Sequence, residues 1–207
     1  MIATILSMDI ILIASFVGAG VMLNLTPGAD VTFTVATSLG SGWRNGVAAA
    51  FGIALGSLVH ISLAAFGVAA ALAAWPLGFD LIRWCGAAYL MFLAYQNWRD
   101  AGSADFGYAQ HSASKAIVRG FLTNVLNPKV ALFMLALLPQ FADPAIGPVS
   151  LQMLALGGLF AVTGFFIISA YAIAAGAFGS VLNQRMSGLR KLTSIIFAGL
   201  AVRLVFD

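Results

Sequence analysis

Charge is scarce in this chain: only 8% of its 207 residues carry it, where soluble domains carry about 25%. So little charge cannot dress a surface for water. With 61% of the residues hydrophobic and a mean hydropathy of +1.00, the chain reads as a membrane protein whose outside faces lipid. Thiols are scarcer still. The single cysteine, Cys85, lies in an apolar run, which excludes a disulfide framework, a Cys-pair metal site and the thiol relay of a membrane oxidoreductase. It is left as a small packing residue. Histidine is nearly absent too, and His60 and His111 alone do not make the His- or carboxylate-rich tract that a metal exporter wants. The net charge is +3, and the basic residues stand singly between apolar runs rather than in a stripe, so no nucleic-acid surface is expected. No nucleophile sits beside an orienting base, so no enzyme is expected, and no cofactor. Asp9 is the only charge before the first apolar run, which is too long for a signal-peptide core and is expected to be retained.

What the chain does have is apolar sequence in lengths that match a bilayer. A hydrocarbon core of about 30 Å takes about 20 helical residues. Runs of that order fall at Ile10–Leu39, Gly46–Trp75, Leu81–Trp98, Ala116–Leu138, Val149–Phe178 and Leu192–Phe206, predicting an all-α membrane protein of six transmembrane helices. Turn formers punctuate them: Gly40-Ser41-Gly42, Pro76-Leu77-Gly78, and Asp143-Pro144 with Gly147-Pro148. Arg44, then Arg99, Lys115 and Arg119, then Arg185, Arg190 and Lys191 mark loops one, three and five, against Arg83 and Arg203 on the other side. The positive-inside rule puts those three loops in the cytoplasm and both termini outside. Trp43, Trp75, Trp84 and Trp98 sit near span ends, where an amphipathic ring suits the headgroups. Six spans divide into two sets of three, and because three is odd the second set is inverted relative to the first. Pro27 and Pro128 interrupt the opening helix of each set, and the same offset relates Gly46 to Gly147 and Gly56 to Gly157. The expected organisation is one membrane domain, 1–207, in which repeats of about 1–98 and about 116–207 are joined by a polar cytoplasmic linker of about 99–115.

The two interruptions carry the candidate chemistry. Asn24-Leu25-Thr26-Pro27-Gly28-Ala29-Asp30 places a helix breaker, a glycine and a carboxylate inside an apolar run, and freed backbone in hydrocarbon is tolerated only where it lines a cavity or faces protein. Thr26 is predicted as an N-cap and Pro27 as the first residue of a second half-helix, whose amides at Gly28, Ala29 and Asp30 face an anion. Asn124-Val125-Leu126-Asn127-Pro128-Lys129 repeats the pattern, with Asn127 as cap. Lys129 falls about 20 Å inside the membrane and Asp30 about 13 Å, and intramembrane charges need partners. They either form a structural ion pair or serve transport. Asn24, Asn124 and Asn127 either satisfy opened backbone or contact ligand. Ala48, Gly52, Gly56, His60 and Ala64 recur every fourth residue and predict a close helix–helix seam, on which His60 either hydrogen-bonds a neighbour or relays protons. Phe121, Phe133, Phe165 and Phe166 are expected to pack or to face lipid.

Thr26-Pro27-Gly28-Ala29-Asp30, followed by the run Ser38 to Gly46 and by Gly52-Ile53-Ala54-Leu55-Gly56, resembles the N-terminal signature of the LysE/RhtB family of amino-acid exporters. His60 falls where that pattern has a histidine. Gly86 to Leu90 and Gly120 to Lys129 through Leu138-Pro139-Gln140-Phe141 are similar to its third- and fourth-span motifs. Ala29 stands where the family has the second proline of a Pro-Gly-Pro run, leaving Pro27 and Gly28 to make the break. The resemblance implies secondary export of amino acids or their derivatives across the bacterial cytoplasmic membrane, with Asp30 at the motif's acidic or Asn position, and does not settle the substrate; the expected function is export of small neutral amino acids or derivatives, threonine- or homoserine-like, by proton antiport. Association into homo-oligomers stays open. The alternatives are an accessory membrane subunit, which would not require two broken helices with buried charge, and an exporter of another small solute such as a metal ion.

Overall fold

The computed structural model describes residues 8–68 and 112–206 together with scattered helical positions between 84 and 99. Among these residues every regular element is helical, the outcome expected where apolar solvent obliges the backbone to satisfy itself. Helix α1, Ile10–Leu25, starts at Asp9, whose carboxylate accepts from the Ile11 amide at 2.8 Å. It meets α2, Ala29–Ser41, at a bend of 50°. Gly42 follows alone at φ +85°, a conformation that only glycine adopts without strain, and α3 then runs over Trp43–Ser62 and loosens into a π-helical segment, Leu63–Val68. Helix α4, Ala113–Val125, is followed by α5, Pro128–Leu137, and by a 3₁₀ turn, Leu138–Phe141, the pair bending by 53°. Helix α6 spans Val149–Phe206.

Among the described residues, two helical stretches are long and apolar enough to cross a membrane, Trp43–Gly67 and Val149–Ala177, and up to four spans result if each bent pair counts as one. Half of each of the two stretches is buried. The other half is no less apolar: Phe66 is 62% exposed and Phe166 65%. A helix that is apolar all round and only half covered by protein faces lipid with the remainder.

Three expectations are revised. The second half-helix starts at Ala29 with Gly28 as its N-cap, not at Pro27 behind a Thr26 cap. Thr26 closes α1 instead, because its hydroxyl donates back to the Met22 carbonyl at 2.6 Å, a bond available to any threonine at a helix C-terminus. The first loop shrinks to Gly42, so Arg44 lies in the first turn of α3. The helical backbone also continues through the polar stretch predicted to separate the fifth and sixth spans. No proline stands there, and Gln, Arg, Met and Leu are good helix formers. Its far end packs on the rest of the molecule, since the Ser194 hydroxyl donates to the Ala94 carbonyl and Ala201 is buried. The turn at Pro76-Leu77-Gly78, Cys85, Trp75, His111, most of the third span and the linker over 100–111 lie outside the described residues.

The main core gathers Phe16, Phe133 and Phe160, each at most 3% exposed, with the Phe133 and Phe160 rings stacked at 5.8 Å. A second contact surface positions the site. The predicted stripe on α3 packs against α4: a side chain at Gly52 would overlap the Ile117 carbonyl, and one at Gly56 would come within 2.8 Å of the Phe121 carbonyl. Gly120 in turn admits the Ala49 backbone. Along this seam Gly52 faces Ile117, Gly56 faces Phe121 and His60 reaches Asn124, so the two helices run side by side in the same direction.

Candidate functional site

A helix end leaves its last carbonyls without intrahelical donors, and α1 ends inside the protein, with Leu23 2% and Thr26 1% exposed. The donors come from elsewhere in the chain. The Lys129 ammonium donates to the carbonyls of Leu23 and Thr26, both at 2.9 Å, and the Tyr171 hydroxyl donates to that of Leu25 at 2.8 Å. Lys129 reaches them by crossing Gly28, where an added Cβ would stand 3.5 Å from the ammonium. The lysine of the second break thus caps the first.

Asn127 caps α5, its side-chain oxygen accepting from the Lys129 amide at 3.0 Å. Pro128 occupies the first helical turn, where its missing N–H costs nothing. One turn earlier, the Asn124 amide donates to Asp30 Oδ2 at 2.8 Å, joining the breaks a second time. The Asn124 carbonyl lies 3.0 Å from His60 Nε2. A carbonyl only accepts, so that nitrogen carries the proton. His60, 7% exposed, therefore makes the cross-helix hydrogen bond that the stripe allows for.

Between the breaks lies a small cleft. Asn24, Thr26, Gly28, Asp30, Asn127 and Lys129 line it, and Leu23, Val31, Val130 and Ile168 supply apolar wall. The structure thus gathers most of the candidate residues predicted from sequence around one small space. Asn124 and His60 stand behind Asp30, Pro27 is buried in the connector, and Pro128 is exposed. Two buried polar atoms at this space have no hydrogen-bond partner among the described residues, Asp30 Oδ1 and Asn24 Nδ2. One unmet acceptor on a carboxylate, one unmet amide donor and the N-terminus of α2 make a site that offers complementary groups to both ends of a small zwitterion. Tyr171 escaped the sequence reading, because its partner is a main-chain carbonyl that no side-chain motif records. The only signal was a tyrosine inside an otherwise apolar run.

The family model described as LysE type translocator matches residues 21–207. The chain belongs to the LysE family. This LysE-family protein is accordingly a membrane transporter and not an enzyme. It is 32% identical to a homoserine/homoserine lactone efflux protein of Salmonella typhimurium, over 85% of this chain and 87% of the relative. It is 30% identical to a leucine efflux protein of an Enterobacter species, over 92% and 93%. An uncharacterized membrane protein of Vibrio cholerae is 32% identical over 93% and 95%. No solved structure matches the chain.

Proposed function

We propose that this LysE-family protein exports small neutral amino acids or their derivatives, homoserine- or threonine-like, from the bacterial cytoplasm by proton antiport. The observation that carries the reading is the unpartnered Asp30 Oδ1 at a cleft built from two interlocked helix breaks. An oxygen left without a donor in a buried site is a standing deficit that a ligand makes good. The substrate ammonium donates to Asp30 Oδ1, and its carboxylate accepts from Asn24 Nδ2 and from the first amides of α2. Lys129, occupied with the α1 carbonyls, holds the break open rather than binding the substrate head-on. Antiport follows if proton and ammonium compete for the same carboxylate, since one is released as the other arrives.

The proposed framework has six spans in two inverted three-helix repeats, broken at Pro27 and Pro128, in one domain of the inner membrane with both termini outside. Alternating access then rocks one repeat against the other around a site at the midplane. Support comes from the similar bends of 50° and 53° in the two pairs, and from relatives named as homoserine, homoserine lactone and leucine efflux proteins.

The decisive experiment is efflux from proteoliposomes loaded with labelled homoserine, threonine, leucine and lysine, with and without an imposed pH gradient. Export of a neutral member of the panel, faster with the gradient than without it, is expected. Protein-free rates for the whole panel would end the reading, and export indifferent to the gradient would end the antiport part.

A further inference from the structure

The hydroxyls on this protein's helices differ in how they are satisfied. Thr26, Ser57 and Thr163 each donate to a carbonyl three or four residues back, at 2.6–2.8 Å, the usual way for a helix to absorb a hydroxyl. Thr34, Thr37 and Ser38 on α2 and Ser169 on α6 have no hydrogen-bond partner among the described residues, although they are 0%, 0%, 2% and 8% exposed. The three on α2 follow Asp30 at four, seven and eight residues and so share its face of the helix. The row begins one turn from the unpartnered Asp30 Oδ1 and ends beside Gly42. At that end Gly46 holds α3 close: an added Cβ there would overlap Ser38 Oγ and come within 2.8 Å of the Ala172 methyl, one turn from Ser169. The adjacent face of α2 is different. Val31 and Val35 are packed there on Tyr171 and Ala175.

A hydroxyl shut away from water without a partner costs free energy, and a helix that carries three on one face has a reason for them in another conformation. We propose that the Thr34, Thr37 and Ser38 face of α2, with Ser169 opposite, is the wall of the aqueous path joining the Asp30 site to the Gly42 end of the helix, closed here and filled with water when the transporter opens that way. The unmet hydroxyls raise the free energy of the closed arrangement and lower the barrier to opening. The proposal rests on the transporter reading and names the surface along which substrate and proton travel.

Thiol accessibility tests it without knowledge of the substrate. In a Cys85→Ala background, Thr34→Cys, Thr37→Cys and the equally buried control Val35→Cys are exposed, in the full-length protein in oriented membranes, to a small charged methanethiosulfonate. The two row positions should react at least tenfold faster than Val35→Cys, and only from the side on which the Gly42 end opens. Equal reactivity of all three, or none in any, would overturn the path. A second arm uses Thr34→Val, Thr37→Val and Ser38→Ala together, which keep shape and remove hydroxyls. Gradient-driven export should fall at least tenfold at unchanged folded yield, and Thr34→Ser should keep the wild-type rate; wild-type export by the triple variant would also overturn it. The path and the amino-acid reading fail separately. Wild-type export with flat thiol reactivity removes the path alone, whereas face-selective reactivity without export of any panel amino acid keeps the path and removes the substrate assignment.

Discussion

Asp30 and Lys129 are the charges on which the site turns, and the hydrogen bonds around them separate two roles that a bare count of charges confuses. If the pair were only a mutual neutralisation, removing both together would restore what either single change loses. Lys129, however, serves the carbonyls of Leu23 and Thr26, and hydrogen bonds to a charged group contribute about 1.5–3 kcal/mol each. Lys129→Met is therefore expected to lower the thermal stability of the purified protein, and adding Asp30→Asn should leave it low. Recovery of wild-type stability in the double variant would make the pair simple architecture. Asp30→Asn alone has a different expected outcome. An amide oxygen can still accept from Asn124, so the variant should fold, but an amide releases no proton at working pH. Gradient-driven export should drop at least tenfold while substrate exchange at equal pH persists; if export driven by the gradient stays at the wild-type rate, Asp30 does not couple.

Between elements, close approach does the work that charge does at the site. Gly52→Leu or Gly56→Leu forces α3 off α4, because the position of the new side chain is already occupied by backbone; folded yield in membranes should fall several-fold, and normal yield with normal transport would place the stripe elsewhere. Tyr171→Phe removes the donor to Leu25 and leaves a carbonyl unpaired at a cost of about 1–3 kcal/mol, read as a lowered melting temperature with the substrate panel unchanged. The seam was legible because small residues at every fourth position mean one thing on a helix, and the Asn127 cap because Asn-Pro at a break has one usual geometry. Thr26 was not, since a threonine before proline serves equally as the cap of the next helix or as the closing residue of the last. The Tyr171 and Lys129 contacts were hidden for a related reason: their acceptors are main-chain carbonyls 146 and 103–106 residues away, and every residue has one.

At the scale of the whole molecule, the direction of the seam constrains topology. Since α3 and α4 run side by side in the same direction, their starts lie at one end of the molecule, which brings Arg44 together with Lys115 and Arg119. For two helices that cross a membrane in the same direction, the chain between them must return to the side from which the first set out, an odd number of crossings. One return crossing is what the proposed third span supplies, and under the proposed framework the positive-inside rule places the shared, basic end in the cytoplasm. In that framework the α4–α5 pair carries the chain outward, and the connection held by Gln152, whose amide donates to the carbonyls of Asp143 and Gly147 at 2.7 and 3.0 Å, is expected on the opposite face. Two exposed positions report on this directly. In a Cys85→Ala background, Ser114→Cys should react with an impermeant maleimide only in inside-out vesicles, and Ala145→Cys only in intact cells. The reverse pattern would invert the protein and with it the direction of the proposed export. Labelling of both positions from one side would mean that the bent α4–α5 pair re-enters instead of crossing, and the inverted-repeat framework would fall with it.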